Sequence, residues 1–182
     1  MLRATAAPET VMVSIEAREK TSRRAGRARY GVDLKLEEGE RISLSDVLLL
    51  ADADARPATL DEAAPLARGD TRLAPGERLG LFWEVYGLEA GTDSVTVSVA
   101  LARKTVGGLR RAAERMGLAR AATPVRMRWN EEVAAADVLG RSLAIAIPNL
   151  PNGDYLLEVS VRARGGASAS ALREIRVERE KP

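Results

Sequence analysis

The residues of this chain best suited to chemistry are three glutamates near its two tryptophans: Glu84, which follows Trp83, and Glu131 and Glu132, just after Trp129. Glycoside hydrolysis uses such acids in pairs, one as proton donor and one as base or nucleophile, about 5 to 9 Å apart across the scissile bond. Sequence spacing does not set that separation, and both Trp83 and Trp129 suit the core of a β fold. Aromatic residues make up 3% of the chain, which leaves few to line a sugar platform. A second set of acids, Asp52, Asp54, Asp61 and Glu62, has the oxygens that Ca²⁺ takes from a loop. Arg56 occupies a place where a calcium loop would offer oxygen, and the glycine of the tight turn is missing, so a solvated acidic loop is expected and no metal is assigned. Basic residues form two groups, Arg18, Arg23, Arg24, Arg27 and Arg29, then Arg103, Lys104, Arg110, Arg111, Arg115 and Arg120. Gathered on one surface they would suit phosphate or an acidic glycan. Only Tyr30 interleaves with them, so the stacking half of single-strand recognition is lacking and no nucleic-acid partner is expected.

The missing residue types exclude more than the present ones suggest. With no histidine and no cysteine, the commonest general base, thiol nucleophiles and thiolate metal sites are all absent. Ser14, Ser43 and Ser45 lack a Gly-x-Ser-x-Gly elbow, and neither a P-loop nor a Gly-x-Gly-x-x-Gly turn occurs. Arg68-Gly69-Asp70 spells an adhesion tripeptide that an Arg- and Asp-rich loop produces by chance. Of 28 cationic residues only four are lysine, a bias typical of a high-GC bacterial genome, and 26 acids leave a net charge of +2. No catalytic residue and no cofactor are assigned.

Period-2 alternation dominates the elements that must carry these side chains. Leu79/Leu81/Trp83/Val85 and Val95/Val97/Val99/Leu101 each put apolar residues on one face, as half-buried strands do, and the turn-rich Gly87–Asp93 join reads as a long-stranded hairpin. Further strands are expected at 11–17, 29–36, within 42–50, and at 125–129, 141–147, 155–163 and 171–177, the last two joined across Gly165-Gly166. Leu109, Ala112, Ala113 and Met116 recur at helical spacing, predicting one short helix near 108–117 that Gly117 stops. Residues 51–78, with Pro57, Pro65 and Pro75, form a long irregular loop that Leu60, Leu66 and Leu73 would anchor. A flexible stretch over 1–10 precedes a single domain over 11–178, whose core should include Val13, Ile15, Leu81, Trp83, Val97, Val99, Met127, Ile145, Leu157 and Val159. No run reaches the roughly 18 apolar residues that span a bilayer.

Tyr155 follows Leu150-Pro-Asn-Gly-Asp154, an arrangement similar to the tyrosine corner of immunoglobulin-like and fibronectin type III sandwiches, in which the phenol bonds to backbone at a strand crossover. The fold class expected is therefore an all-β, immunoglobulin-like antiparallel β-sandwich with one short helix.

Ser14-Ile-Glu16, Arg27-Ala-Arg29-Tyr-Gly31, Leu44-Ser-Asp-Val-Leu-Leu-Leu50, Leu81-Phe-Trp-Glu-Val-Tyr86 and Gly153-Asp-Tyr-Leu-Leu-Glu-Val159 together resemble the C-terminal β-rich region of bacterial GWxTD-domain proteins. The Gly-Trp-x-Thr-Asp motif itself is absent. The resemblance implies an envelope-associated accessory domain and carries over no catalytic residue; if the chain is a piece of an exported parent, its place is periplasmic or at the cell envelope. The function expected is a non-enzymatic interaction module whose partner is protein, either other domains of the parent or an envelope component. The alternative is a glycan-binding or carboxylate-dependent glycan-active domain using Glu84, Glu131 or Glu132. Oligomeric state is left open.

Overall fold

The computed structural model describes residues 10–22, 24–33, 42–88, 94–104, 125–133 and 138–179. The chain divides into two compact units, Met1–Gly39 and Glu40–Pro182. In the first, β1 (Thr10–Arg18) and β2 (Ala25–Asp33) form a two-stranded antiparallel sheet with Val13 opposite Tyr30 and Ile15 opposite Ala28. Alternation gathers Val11, Val13, Ile15 and Ala17 on one face with Gly26, Ala28, Tyr30 and Val32. The alternation alone suggests that both strands belong to a sandwich spanning 11–178, with Val13 and Ile15 in its core. Instead they pair with each other in their own unit, and Val13 and Ile15 are 43% and 53% exposed. Residues 1–9, and the 34–36 end expected for the second strand, lie outside the described residues.

The second unit is an all-β sandwich. In chain order it runs β3 (Ser43–Leu44), β4 (Leu48–Leu50), a short helix α1 (Leu60–Ala63) continued by a 3-10 turn (Ala64–Leu66), β5 (Arg72–Leu73), β6 (Arg78–Tyr86), β7 (Ser94–Arg103), β8 (Val125–Glu132), β9 (Val138–Ala146), β10 (Gly153–Ala163) and β11 (Ser168–Val177). The wider sheet has the order β5-β11-β10-β7-β8. In the narrower sheet β6 is central, with β9 along one side and β3 and β4 end to end along the other. All pairings are antiparallel except that of β5 with β11. The first strand is thus split, lining β6 as β3 and β4 before crossing to the other sheet as β5, the strand order of an immunoglobulin-like sandwich. Between its two halves Ser45 to Val47 stand opposite Trp83 and Glu84, one residue too many, which makes a β-bulge.

Leu79, Leu81, Trp83 and Val85 of β6 meet Val95, Val97, Val99 and Leu101 of β7 and Leu157, Val159 and Val161 of β10 in one core. Of the expected core residues, Leu81, Trp83, Val97, Val99, Ile145, Leu157 and Val159 are buried. Met127 is 37% exposed, because β8 is the edge strand of the wider sheet and reaches the core through Val125 and Trp129. The expected β6–β7 hairpin does not form. Those strands lie in different sheets and face each other across the core, so Gly87–Asp93 joins the two layers, and alternation looks the same in either arrangement.

Tyr155 is buried and its hydroxyl donates to the Pro151 carbonyl at 2.9 Å, the corner expected between β9 and β10. β10 and β11 pair as a hairpin across Gly165-Gly166. The helix expected at 108–117 lies outside the described residues. The described helix is α1, opened by Thr59, whose hydroxyl accepts from the Glu62 amide. It sits inside the segment read as irregular. There Leu73 is buried as expected, whereas Leu60 and Leu66 are exposed and Ala63 takes the anchoring role with Leu50 and Phe82. Val13-Ser-Ile-Glu-Ala-Arg18 on β1 is similar to Val159-Ser-Val-Arg-Ala-Arg164, which runs along β10 to one residue past its end, a likeness between the first strands of two hairpins.

Candidate functional site

Pairing across the wider sheet sets the polar ends of three strands in rows on its outer face. Arg162, Thr96 and Asn130 lie side by side on β10, β7 and β8, and Ser94 pairs with Glu132 one step along. The Arg164 amide donates to the Ser94 carbonyl at 3.3 Å, which brings the end of β10 level with that second row. These residues, with Glu131 and Ala163, line an open cleft of about 540 Å³. Thr96 Oγ1 donates to Asn130 Oδ1 at 2.8 Å, which orients the amide so that its nitrogen remains a donor. Farther along the same face Glu158 and Arg126 flank Ala100. Burial pushes the Glu158 carboxyl above the usual carboxylate range, against the pull of Arg126.

Strand alternation separates the expected acids. Glu131 points to the inner side of β8 and Glu132 to the outer, so adjacent residues serve opposite faces. Glu131 Oε1 accepts from Arg141 Nε at 2.9 Å, tying the edge strands of the two sheets. Arg141 pairs with Trp83 on the inner side of the narrower sheet, while Glu84 lies on its outer side. Glu84 and Glu131 therefore stand on opposite sides of that sheet, and the structure does not bring them together as a catalytic pair.

Glu84 instead holds a strap. It is 7% exposed, and its carboxylate accepts from the Leu60 amide at 3.2 Å and from the Tyr86 hydroxyl. Burial, then the bond to Glu84, raises the Tyr86 phenol from 10.0 to about 12. Residues 51–66 cross this outer face: Ser142 Oγ donates to the Pro57 carbonyl, and Phe82 packs with Leu50 and Ala63. Two glycines make room for backbone. A Cβ at Gly140 would sit 2.0 Å from the Ala58 carbonyl oxygen, and one at Gly80 would sit 2.8 Å from that of Asp52. Gly80, Gly140 and the apolar Phe82 on an otherwise outward row are the sequence signals that a covering segment lies here.

The acids considered for calcium disperse along this strap. Asp52 accepts from the Asp54 amide at 2.8 Å, Asp54 pairs with Arg78 at 2.7 Å, and Glu62 accepts from the Ala58 amide at 2.8 Å. Among the described residues, Asp61 included, no three potential metal ligands come together. Arg68 is occupied by Asp70 at 3.1 Å, by Glu77 and by the Arg72 carbonyl, so the adhesion tripeptide is a self-satisfied turn. Its guanidinium holds the Asp70 carboxyl below the usual range.

Ser45 Oγ accepts from the Glu84 amide at 2.9 Å and stabilises the bulge, Ser43 lies on β3, and Ser14 is exposed on β1. Of the basic groups, Arg27 pairs with Glu16 at 2.6 Å and Lys104 with Glu174, while Arg103 donates to the Asn152 carbonyl at 3.3 Å. Arg18 and Arg29 lie on the first hairpin and Arg24 in its turn; Arg23, Arg110, Arg111, Arg115 and Arg120 lie outside the described residues. Thr96, Asn130 and Arg162 were not legible as a group, because only the strand register places them side by side.

Fold and site together define an immunoglobulin-like sandwich with a polar cleft at one end of its wider sheet and a strap over its narrower one. No family model matches the sequence, and no curated protein is similar to it. Solved structures with a partly similar backbone path include the two that follow. One is the sporulation control protein Spo0M from Bacillus subtilis, at a TM-score of 0.41 and 11% identity over 75% of this chain and 51% of that one, so the chain spans about half of Spo0M. The other is the soluble domain of PmoD from Methylocystis sp. ATCC 49242 (Rockwell), at a TM-score of 0.36 and 8% identity over 74% of this chain and 90% of that one. Likenesses at this level bear on neither activity nor partners. Among the described residues no helix is long and apolar enough to cross a membrane.

Proposed function

We propose that the chain is a non-enzymatic accessory and interaction module of a larger bacterial envelope protein. The observation that carries this reading is the use of two of the three catalytic candidates as structural parts: Glu84 holds the strap through Leu60 and Tyr86, and Glu131 joins the sheet edges through Arg141, which leaves Glu132 without a second candidate carboxylate free to act with it. A general acid needs access to substrate and a matched partner, and neither carboxylate has both. The likeness to the C-terminal region of GWxTD-domain proteins supports the envelope setting and a protein partner. A tagged copy expressed from its own gene is expected in the envelope fraction of the cell, and recovery in the cytoplasm would remove that part of the reading.

The cleft supports a second reading, glycan binding without hydrolysis, because Thr96, Asn130, Glu132 and Arg162 present hydroxyl, amide and charged groups to one open space. Titration of neutral and acidic oligosaccharides by calorimetry decides it. Heat that disappears in Asn130→Ala favours glycan binding, and no heat with any of them leaves the protein-partner reading. Release of reducing sugar that is lost in Glu131→Gln or Glu132→Gln would overturn both.

A further inference from the structure

We propose that the apolar face of the β1–β2 hairpin docks against the same face of a second copy of this chain, closing two hairpins into a small four-stranded sandwich. This inference is independent of the cleft. A two-stranded hairpin is marginal in water and becomes stable when its apolar face is covered. Here that face is open: Val13, Ile15 and Tyr30 are 43%, 53% and 61% exposed. The chain itself shows what kind of layer fits. On β10, whose sequence resembles β1, the corresponding Val159, Val161 and Ala163 are buried against an antiparallel sheet of aliphatic side chains.

A second copy supplies such a layer, complementary in shape and free of charge. The face consists of Val11, Val13, Ile15 and Ala17 from β1 and Gly26, Ala28, Tyr30 and Val32 from β2, none of them charged. Ser14, Glu16, Arg18, Arg27 and Arg29 alternate onto the opposite face, where Glu16 and Arg27 pair, so docking buries no ion. A two-fold axis along the strands lays β1 of each copy over β2 of the other, because rotation about it exchanges the two strand positions and keeps the level. Ile15 then meets the small Ala28 of the second copy, Ala17 meets Gly26, and Val13 meets Tyr30. Each face measures about 30 Å by 10 Å, from nine residues at ~3.3 Å rise and two strands ~4.8 Å apart. The two faces together cover about 600 Å², below the ~1,200–2,000 Å² of stable specific interfaces and within the weak, transient class. The dimer should therefore be weak and reversible.

Sedimentation equilibrium of the full chain between about 1 and 100 μM tests this, the range that so small an interface suggests. The weight-average mass is expected to rise from one chain to two. Val13→Asp with Ile15→Asp should hold it at one chain throughout. Val13→Thr with Ile15→Thr, which keeps the β-branched shape, should weaken association at least about tenfold through lost apolar burial. Met12→Asp, on the opposite face of β1, should leave the dimer intact. A single-chain mass at the highest concentration, species that grow beyond two chains, or dissociation by Met12→Asp as readily as by the Val13 and Ile15 changes would each overturn the proposal.

Discussion

The hairpins β1–β2 and β10–β11 start from closely similar strands, Val-Ser-Ile-Glu-Ala-Arg from Val13 and Val-Ser-Val-Arg-Ala-Arg from Val159. Each sends alternate apolar residues to one face and polar residues to the other. On β10 that face is sealed, with Val159 and Val161 buried beneath the narrower sheet; on β1 it is open. Their edges differ too. β10 lies between β7 and β11 with both rows of backbone groups paired, whereas β1 has β2 on one side and no second partner strand among the described residues. Apolar alternation thus specifies that a face can be covered. Chain topology decides whether it is, because β6, roughly seventy residues earlier in the chain, must come to lie over β10.

The sharpest test of that difference is the same substitution in both strands. Val159→Asp places a charge without a partner in the core and should cost several kcal/mol, roughly 4 or more, a large share of the ~5–15 kcal/mol that stabilises a domain. Val13→Asp should move the sandwich by less than about 0.5 kcal/mol, as surface changes do. Urea unfolding followed by tryptophan fluorescence reads both, since Trp83 and Trp129 lie in the second unit. Equal losses would erase the distinction between the hairpins.

The sheet that covers β10 is itself covered by the strap, and Gly140→Ala probes that second layer. A methyl group 2.0 Å from the Ala58 carbonyl must displace backbone, at a cost of roughly 3 kcal/mol, the upper end for an overpacked site. Proteolysis within 51–58 should quicken in step, and unchanged stability would mean that the strap yields freely.

Tyr155→Phe sharpens the comparison at the entry to β10. It keeps the ring but leaves the Pro151 carbonyl without its partner, so a loss of about 1–3 kcal/mol in the same urea assay is expected. An unchanged midpoint would show that the corner does not help to fix the covered hairpin. The smallest effect concerns pH. Because the Tyr86 phenol ionises near 12 in the folded chain instead of at 10.0, the stabilisation from its protonated form is complete below 10 and is lost as pH rises toward 12. The ultraviolet ionisation curve should lose a step near 12 in Tyr86→Phe, and the fall in stability across that interval should flatten.

The strands and the corner were legible because their signals are local. Period 2 marks β6, β7, β10 and β11, and Pro151-Asn-Gly-Asp-Tyr155 announces the turn into β10. What could not be read depended on partners distant in sequence. β6 and β7 show the same alternation whether they pair edge to edge or face each other across a core. Met127 keeps the core-facing parity of its strand yet is exposed, because β8 lies at the sheet edge. Glu84 resembles an outward acid until residues 51–66 are laid over it, and Thr96, Asn130 and Arg162 become neighbours only through the register of three strands.

The short parallel pairing of β5 with β11 has a mechanical consequence. The Arg176 amide donates to the Thr71 carbonyl at 2.9 Å and the Glu178 amide to the Leu73 carbonyl at 3.0 Å, clasping an early strand of the sandwich to its last one. In a parallel pair the start of one strand and the end of the other lie at opposite ends. Tension applied between residues 42 and 179 therefore slides β5 along β11 and loads these bonds together, whereas an antiparallel hairpin pulled from its open end unzips one bond at a time. The sandwich is built to resist stretching along the chain at this clasp.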